Sequence, residues 1–278
     1  MNTRRDIIIC LLIGAAAGLT SGMMGVGGGI IMIPLMTAFL GLTQHKAHGT
    51  SLAVIVFTAI SSALTYIWKT QGGGASGQAT ISLATYLLIA VELAAGSIIG
   101  ARIGALAMNH VPARELRMIF GIFIFFIGLR LLLLPLPAYK TLDPQMIHNL
   151  PGIIIVVVIG LITGILSGML GVGGGIFMVP AMVLVLLMPQ SFAQGISLLV
   201  IIPTAMMGAY THLHKGNVVS RIVPWIAASS VITSVIGSML ALGPLKNVLT
   251  QVFAVFLVLV SIQLTVTAWR QKPPQKKT

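Results

Sequence analysis

Residues 14–36 read GAAAGLTSGMMGVGGGIIMIPLM, and residues 160–182 read GLITGILSGMLGVGGGIFMVPAM. At a constant offset of 146, 14 of these 23 positions are identical. The register continues without a gap, pairing Gly49 with Gly195, Ser51 with Ser197, Thr58 with Thr204 and Lys69 with Lys215. Further along the offset falls to 133, which pairs Gly104 with Gly237 and Phe120 with Phe253. The first half therefore carries 13 extra residues, most simply the Gly-rich stretch Thr70–Ser82. A shared pattern of this length is the mark of a duplicated unit.

The solvent for that unit follows from composition. Of 278 residues, 57% are hydrophobic and 7% charged, with a mean hydropathy of +1.05. A soluble domain is about 25% charged, so this chain cannot build a water-exposed surface. Its apolar runs, each about 20 residues, match the hydrocarbon thickness of a bilayer. They lack the alternation of an outer-membrane barrel, and helices satisfy their own backbone polar groups in lipid. The net charge is +12, and the basic residues cluster in short flanks and loops at Arg4–Arg5, Arg114–Arg117, Lys215–Arg221 and Arg270–Lys277. There, Lys and Arg set orientation and meet anionic lipid, which is a better account than nucleic acid. The single cysteine, Cys10, excludes an intrachain disulfide and a cysteine-based metal cluster. Arg4–Arg5 followed by apolar residues from Ile7 resembles a signal peptide, but the stretch runs into the repeated motif and is expected to belong to the mature fold.

The expected fold is an all-α integral membrane protein of two homologous halves in one transmembrane domain, 1–278. The first repeat covers about 6–135, a linker 136–150, the second repeat about 151–269 and a basic tail 270–278. Each repeat begins with an apolar segment, a glycine cluster and a second apolar segment, at 6–42 and 153–188. Three longer helices follow, near 48–68, 82–108 and 115–135, then 194–214, 222–242 and 247–268. The first element reads as one broken span, as two short spans or as a re-entrant hairpin. A hairpin plus three spans is odd in parity, so the halves would insert in opposite directions. With both termini cytoplasmic, that arrangement places 11 Lys and Arg inside and 3 outside, against 10 and 4 for parallel halves. Inverted repeats are common in secondary transporters, and this arrangement is the expectation.

The repeated glycines carry the first functional signal. Ser21, Gly25, Gly27, Gly28 and Gly29, and in the second copy Ser167, Gly171, Gly173, Gly174 and Gly175, are the leading candidates for a substrate site. Glycine allows positive φ and close backbone approach. Pro34 and Pro180, five residues after each last glycine, mark a helix broken within the membrane. Such breaks are tolerated where they are buried in protein or line a polar cavity, and a helix N-terminus favours an anion. The competing reading is close helix packing through small residues, which is the expectation for Gly14–Gly18 and Gly160–Gly164. The next helix bears a hydroxyl stripe at sevenfold spacing, Ser51, Thr58 and Thr65, repeated as Ser197, Thr204 and Thr211. His48 and Gln194 each stand three residues before the serine. We take His48, Ser51, Thr58, Gln194, Ser197 and Thr204 as substrate-facing candidates, against the alternative that hydroxyls in helices bond their own backbone. Glu92 and Arg102 are ionisable residues inside one span and are functional candidates by default. Glu92 is a proton-coupling candidate. Arg102 either supplies charge for an anion or snorkels to the interface. No metal or cofactor site is expected, since four acidic residues and scattered histidines build none, and no nucleophile stands with a base and an orienting partner.

The doubled pattern G-x3-G-x2-S-G-M-x-G-V-G-G-G-x4-P resembles the TauE/SafE family of membrane transporters over essentially the whole chain. The resemblance implies a secondary transporter, not an enzyme, exporting a small sulfur-containing anion, sulfite or an organosulfonate such as sulfoacetate, across a bacterial inner membrane. Ser21–Pro34 and Ser167–Pro180 match the pattern fully, whereas no family motif reaches His48, Glu92 or Arg102. Expected partners are a small anion and membrane lipid and no nucleic acid; a homodimer is one assembly open to the chain, whose oligomeric state the sequence does not specify. Two other readings use the same residues: a passive anion channel, and a membrane scaffold in which the glycines serve packing alone.

Overall fold

The structure is a computed structural model that describes residues 4–72, 82–107, 113–134, 149–170, 174–245 and 248–270. The described residues form ten helices. In the first repeat these are α1 (Arg4–Met24), α2 (Gly29–Leu40), α3 (Gln44–Gly72), α4 (Leu83–Ala107) and α5 (Ala113–Leu133). In the second they are α6 (Leu150–Leu170), α7 (Gly175–Val185), α8 (Gln190–His214), α9 (Val223–Leu242) and α10 (Leu249–Arg270). Seven of them are long and apolar enough to cross a membrane. Large apolar side chains such as Phe57, Leu64, Phe126 and Ile232 stand on the outside, as a hydrocarbon solvent permits and water does not. The chain is an all-α integral membrane protein.

The ambiguous first element resolves into a helix, a glycine turn and a shorter helix that folds back. At ~1.5 Å per residue, α1 is about 31 Å long and α2 about 18 Å. A Cβ on Gly28 would come within 2.6 Å of the Ala17 carbonyl oxygen, so the chain after the turn lies against the helix before it. Met32 and Met36 of α2 then share one apolar cluster with Cys10, Ile13 and Ala17 of α1. α3 and α8 each begin four residues earlier than the apolar pattern suggests. Pro189 caps α8, and the added turns carry polar residues, Gln44–Lys46 and Gln190–Ser191.

The two repeats interlock through small residues. Cβ atoms on Gly14, Gly18 and Gly22 of α1 would fall on the carbonyl oxygens of Ile226, Ser230 and Ser234 of α9. At the equivalent positions, Cβ atoms on Gly160, Gly164 and Gly168 of α6 would fall on those of Leu93, Ser97 and Ala101 of α4. These two interfaces obey the sequence offsets of 146 and 133 residue for residue, and they are the most extensive helix contacts in the molecule. Each repeat thus lends its first helix to the fourth helix of the other. In both pairs the residue numbers rise together, so the helices run parallel. The equivalent helices themselves meet head to tail. α3 and α8 pair Leu52 with Gly208 and Tyr66 with Gly195, while α5 and α10 pair Gly121 with Thr265 and Gly128 with Leu257.

Candidate functional site

The first glycine loop meets the start of α7 where α3 and α8 cross. Gly25, Gly27 and Gly28 have φ of 69°, 79° and 75°, and Gly174 has φ 53°. These left-handed conformations are ones that L side chains rarely adopt. A Cβ on Gly175 would come within 2.7 Å of the Gly25 carbonyl oxygen and 2.8 Å of the Val26 Cα, so the second loop's exit abuts the first loop's backbone. A Cβ on Gly27 would meet Ile55 of α3 and Ile201 of α8 at 3.2 and 3.4 Å. Of the candidate glycines, Gly171 and Gly173 lie outside the described residues.

Hydrogen bonds hold the first loop to the second repeat. The Ser197 hydroxyl donates to the Gly25 carbonyl oxygen at 2.9 Å. The Tyr66 hydroxyl lies 3.0 Å from the Gly22 carbonyl oxygen and 2.8 Å from Gln194 Oε1, with both as acceptors. In the second repeat the Gly174 N–H donates to Ser167 Oγ at 2.7 Å. Neither α2 nor α7 has a side-chain cap, their N-caps being Gly28 and Gly174. The helix ends therefore present backbone N–H groups, with the positive end of the helix dipole, beside the loops.

Several buried polar atoms at this crossing have no hydrogen-bond partner among the described residues. They are Ser21 Oγ, Gln194 Nε2 and the Tyr86 hydroxyl. Ser21 and Gln194 are fully buried and Tyr86 nearly so. The Tyr86 oxygen presses on Gly195, next to Gln194. A buried polar group left unpaired costs about 1–3 kcal/mol, and a small solute with acceptor oxygens would relieve that cost. All three groups are neutral and all can donate a hydrogen bond.

The hydroxyl stripe divides. Ser51 donates to the His48 carbonyl oxygen at 2.8 Å, Thr58 to that of Ile55 at 3.0 Å, and Thr204 to that of Ile201 at 3.0 Å. Their protons are held within their own helices, the behaviour expected of hydroxyls in an apolar helix. Ser197 instead ties the loop. His48 lies at the opposite end of α3 from Tyr66, its ring 5.2 Å from that of His212 in an edge contact. Glu92 is half-buried on α4 and Arg102 is exposed. The exposure of Arg102 suits snorkelling to the interface.

Tyr66, Tyr86 and His212 were not among the candidates. Tyr66 and His212 are equivalent positions, and their exchange of one polar ring for another within the repeat was a usable signal. Tyr86 has no polar counterpart, since the offset of 133 pairs it with Val219, so only the folded chain brings it to the site.

Interlocked repeats, broken helices and unpaired polar groups in an apolar setting suit a multi-span membrane transporter. The comparisons agree. The family model described as sulfite exporter TauE/SafE matches residues 1–131 and 156–278. The chain belongs to the TauE/SafE family. It is 30% identical to the probable membrane transporter protein YunE of Bacillus subtilis over 239 residues, 77% of this chain and 80% of that one. It is 26% identical to a probable membrane transporter protein of Xylella fastidiosa strain Temecula1 over 278 residues, 96% of this chain and 98% of that one.

Proposed function

We propose that this protein is a secondary carrier that exports sulfite or a small organosulfonate such as sulfoacetate across the bacterial inner membrane. The observation behind this reading is the meeting of the first glycine loop with the start of α7 beside Ser21, Gln194 and Tyr86, whose buried polar atoms await a partner. Hydroxyl, amide and backbone N–H donors suit an oxyanion. They do so in a medium where a fixed cation would be costly without a counter-ion.

Alternating access would move the repeats against each other around the loops. The substrate ligands would be Ser21, the loop glycines Gly25 and Gly27–Gly29 with their partners Gly171 and Gly173–Gly175, and Gln194. Ser197 and Ser167 would position the loops. Insertion of the repeats in opposite directions accords with the head-to-tail meeting of α3 with α8 and of α5 with α10. Both termini then lie on the cytoplasmic side, together with most of the Lys and Arg residues.

Counterflow in proteoliposomes tests the reading. Vesicles preloaded with sulfite, sulfoacetate, thiosulfate or a plain carboxylate should show saturable exchange for a sulfur oxyanion. No exchange of any of them by folded protein would remove the substrate assignment. Flux without counterflow would make the protein a channel.

A further inference from the structure

The two repeats are equivalent in sequence but not in burial. Gln44, His45 and Lys46 at the start of α3 are exposed. Their equivalents at the start of α8, Gln190, Ser191 and Phe192, are buried to 4, 7 and 4% exposure. The next polar positions differ in the same sense. His48 and His212 are half-buried, whereas their equivalents Gln194 and Tyr66 are fully buried. Each group surrounds an equivalent glycine. A Cβ on Gly195 would strike the Tyr86 oxygen and come within 3.0 Å of Tyr66 Cβ. A Cβ on Gly49 would come within 2.7 Å of the Asn217 carbonyl oxygen and 2.8 Å of His212 Cβ.

Resting on the carrier reading above, we propose that these clusters are the two gates of the transport path. Gln194, Tyr66 and Tyr86 close the end at which α8 begins, and His48, His212 and Asn217 form the counterpart at the end at which α3 begins. The structure is the state in which the first gate is shut. The shut gate is held by the Tyr66 hydroxyl between Gln194 and the Gly22 carbonyl oxygen, and by Tyr86 with its ring 6.3 Å from that of Phe192. At the less buried gate the His48 and His212 rings meet edge to face, and Asn217 Nδ2 approaches His212 Nδ1 at 3.4 Å. The Asn217 N–H donates to the His212 carbonyl oxygen at 2.9 Å, and the Val219 N–H donates to Thr50 Oγ1 at 3.0 Å. Among the described residues there, no side-chain hydrogen bond joins α3 directly to α8 as Tyr66 joins Gln194. In a molecule of two equivalent repeats, the second state follows when the repeats trade conformations. His48 and His212 then become buried as Tyr66 and Gln194 part. Gln194 Nε2 and the Tyr86 hydroxyl, unpartnered among the described residues, are the donors that a sulfonate oxygen reaching the shut gate would accept from. Lys46, Lys215 and Arg221, all exposed, stand around the end that is less sealed, where they would gather anions.

Cysteine reactivity reads the gates without reading transport. In a Cys10→Ala background, Ser191→Cys and His45→Cys place one thiol at equivalent positions beside each gate. Purified protein in detergent, labelled with a hydrophilic maleimide, should react at residue 45 on the order of tenfold or more faster than at residue 191. Gly195→Ala, whose methyl group cannot coexist with the Tyr86 oxygen, should raise labelling at 191 towards that at 45. Tyr66→Phe, which keeps the ring and loses both hydrogen bonds, should do the same to a smaller extent. Sulfoacetate should shift the two rates in opposite directions. Equal reactivity at 45 and 191 in the parent, or a rate at 191 that neither variant changes in monodisperse protein, would overturn the gate assignment. The predicted labelling together with flux that shows no counterflow would keep the gates and overturn the carrier.

Discussion

Gly28 and Ser21 show how differently two residues of one motif act. Gly28 has left-handed backbone and no room, its would-be Cβ lying 2.6 Å from the Ala17 carbonyl oxygen and 3.3 Å from Ser21 Cβ. Left-handed backbone alone costs an L residue about 1–2 kcal/mol, and the collision adds to it. Gly28→Leu is therefore expected to abolish flux. Gly27→Ala carries the same backbone cost but meets the Ile55 and Ile201 side chains rather than a carbonyl, so it should retain part of the flux; flux at matched protein amounts checks the pair. Ser21 is the reverse case, because its buried hydroxyl has no partner among the described residues. Ser21→Ala removes an unpaired group, so stability should hold or rise by about 1 kcal/mol while substrate KM increases. Thermal unfolding and a concentration series of flux measure the two effects. A loss of stability with unchanged KM would make Ser21 structural. The motif's glycines were legible as broken-helix residues, because the requirement for positive φ is local. The role of Tyr86 was not, since it depends on a contact with Gly195 more than a hundred residues away.

At the scale of the elements, small residues decide which helices pair. Gly18 and Gly164 occupy equivalent positions on α1 and α6, and each faces a backbone carbonyl of a helix from the other repeat. Packing of backbone on backbone is a main source of helix association in lipid, where the hydrophobic effect between helices is absent. Gly18→Ile or Gly164→Ile should prevent assembly, seen as loss of monodisperse protein on size-exclusion chromatography. Gly216→Ala, at a position with nothing within 4 Å but φ of 67°, should cost only about 1–2 kcal/mol. The Gly-x3-Gly spacing announced packing in the sequence, and the structure extends it to Gly22 and Gly168 inside the repeated motif. The hydroxyl stripe was equally visible but ambiguous. Period alone cannot say whether Ser51, Thr58 and Thr204 donate outward or, as here, to their own helix.

At the scale of the molecule, the interlocking of the repeats bears on topology. α1 packs on α9 and α6 on α4, so the repeats do not separate into two bundles. The proposed inverted insertion has an even number of crossings overall, and it places both termini on one face. Epitope tags at either end should be cut by protease together, in inside-out vesicles and not in intact spheroplasts. Cleavage of one tag alone would mean an odd number of crossings overall and would overturn the inverted arrangement.

The amino-acid sequence by itself determined the solvent of this protein, the helical class, the duplication and the positions of its helix breaks. Those follow from composition and from short-range rules of spacing and backbone freedom, which act within a turn or two of helix. Only the tertiary structure decided that the first element folds back as a hairpin, that the first glycine loop meets the start of α7 at the crossing of α3 and α8, and that Tyr66 and Tyr86 belong beside Gln194. It alone revealed that equivalent positions are buried at the start of α8 and exposed at the start of α3. Two equivalent sequences can adopt unequal conformations, because a pair of packings close in energy is settled by contacts between distant helices, and no local pattern records which is occupied.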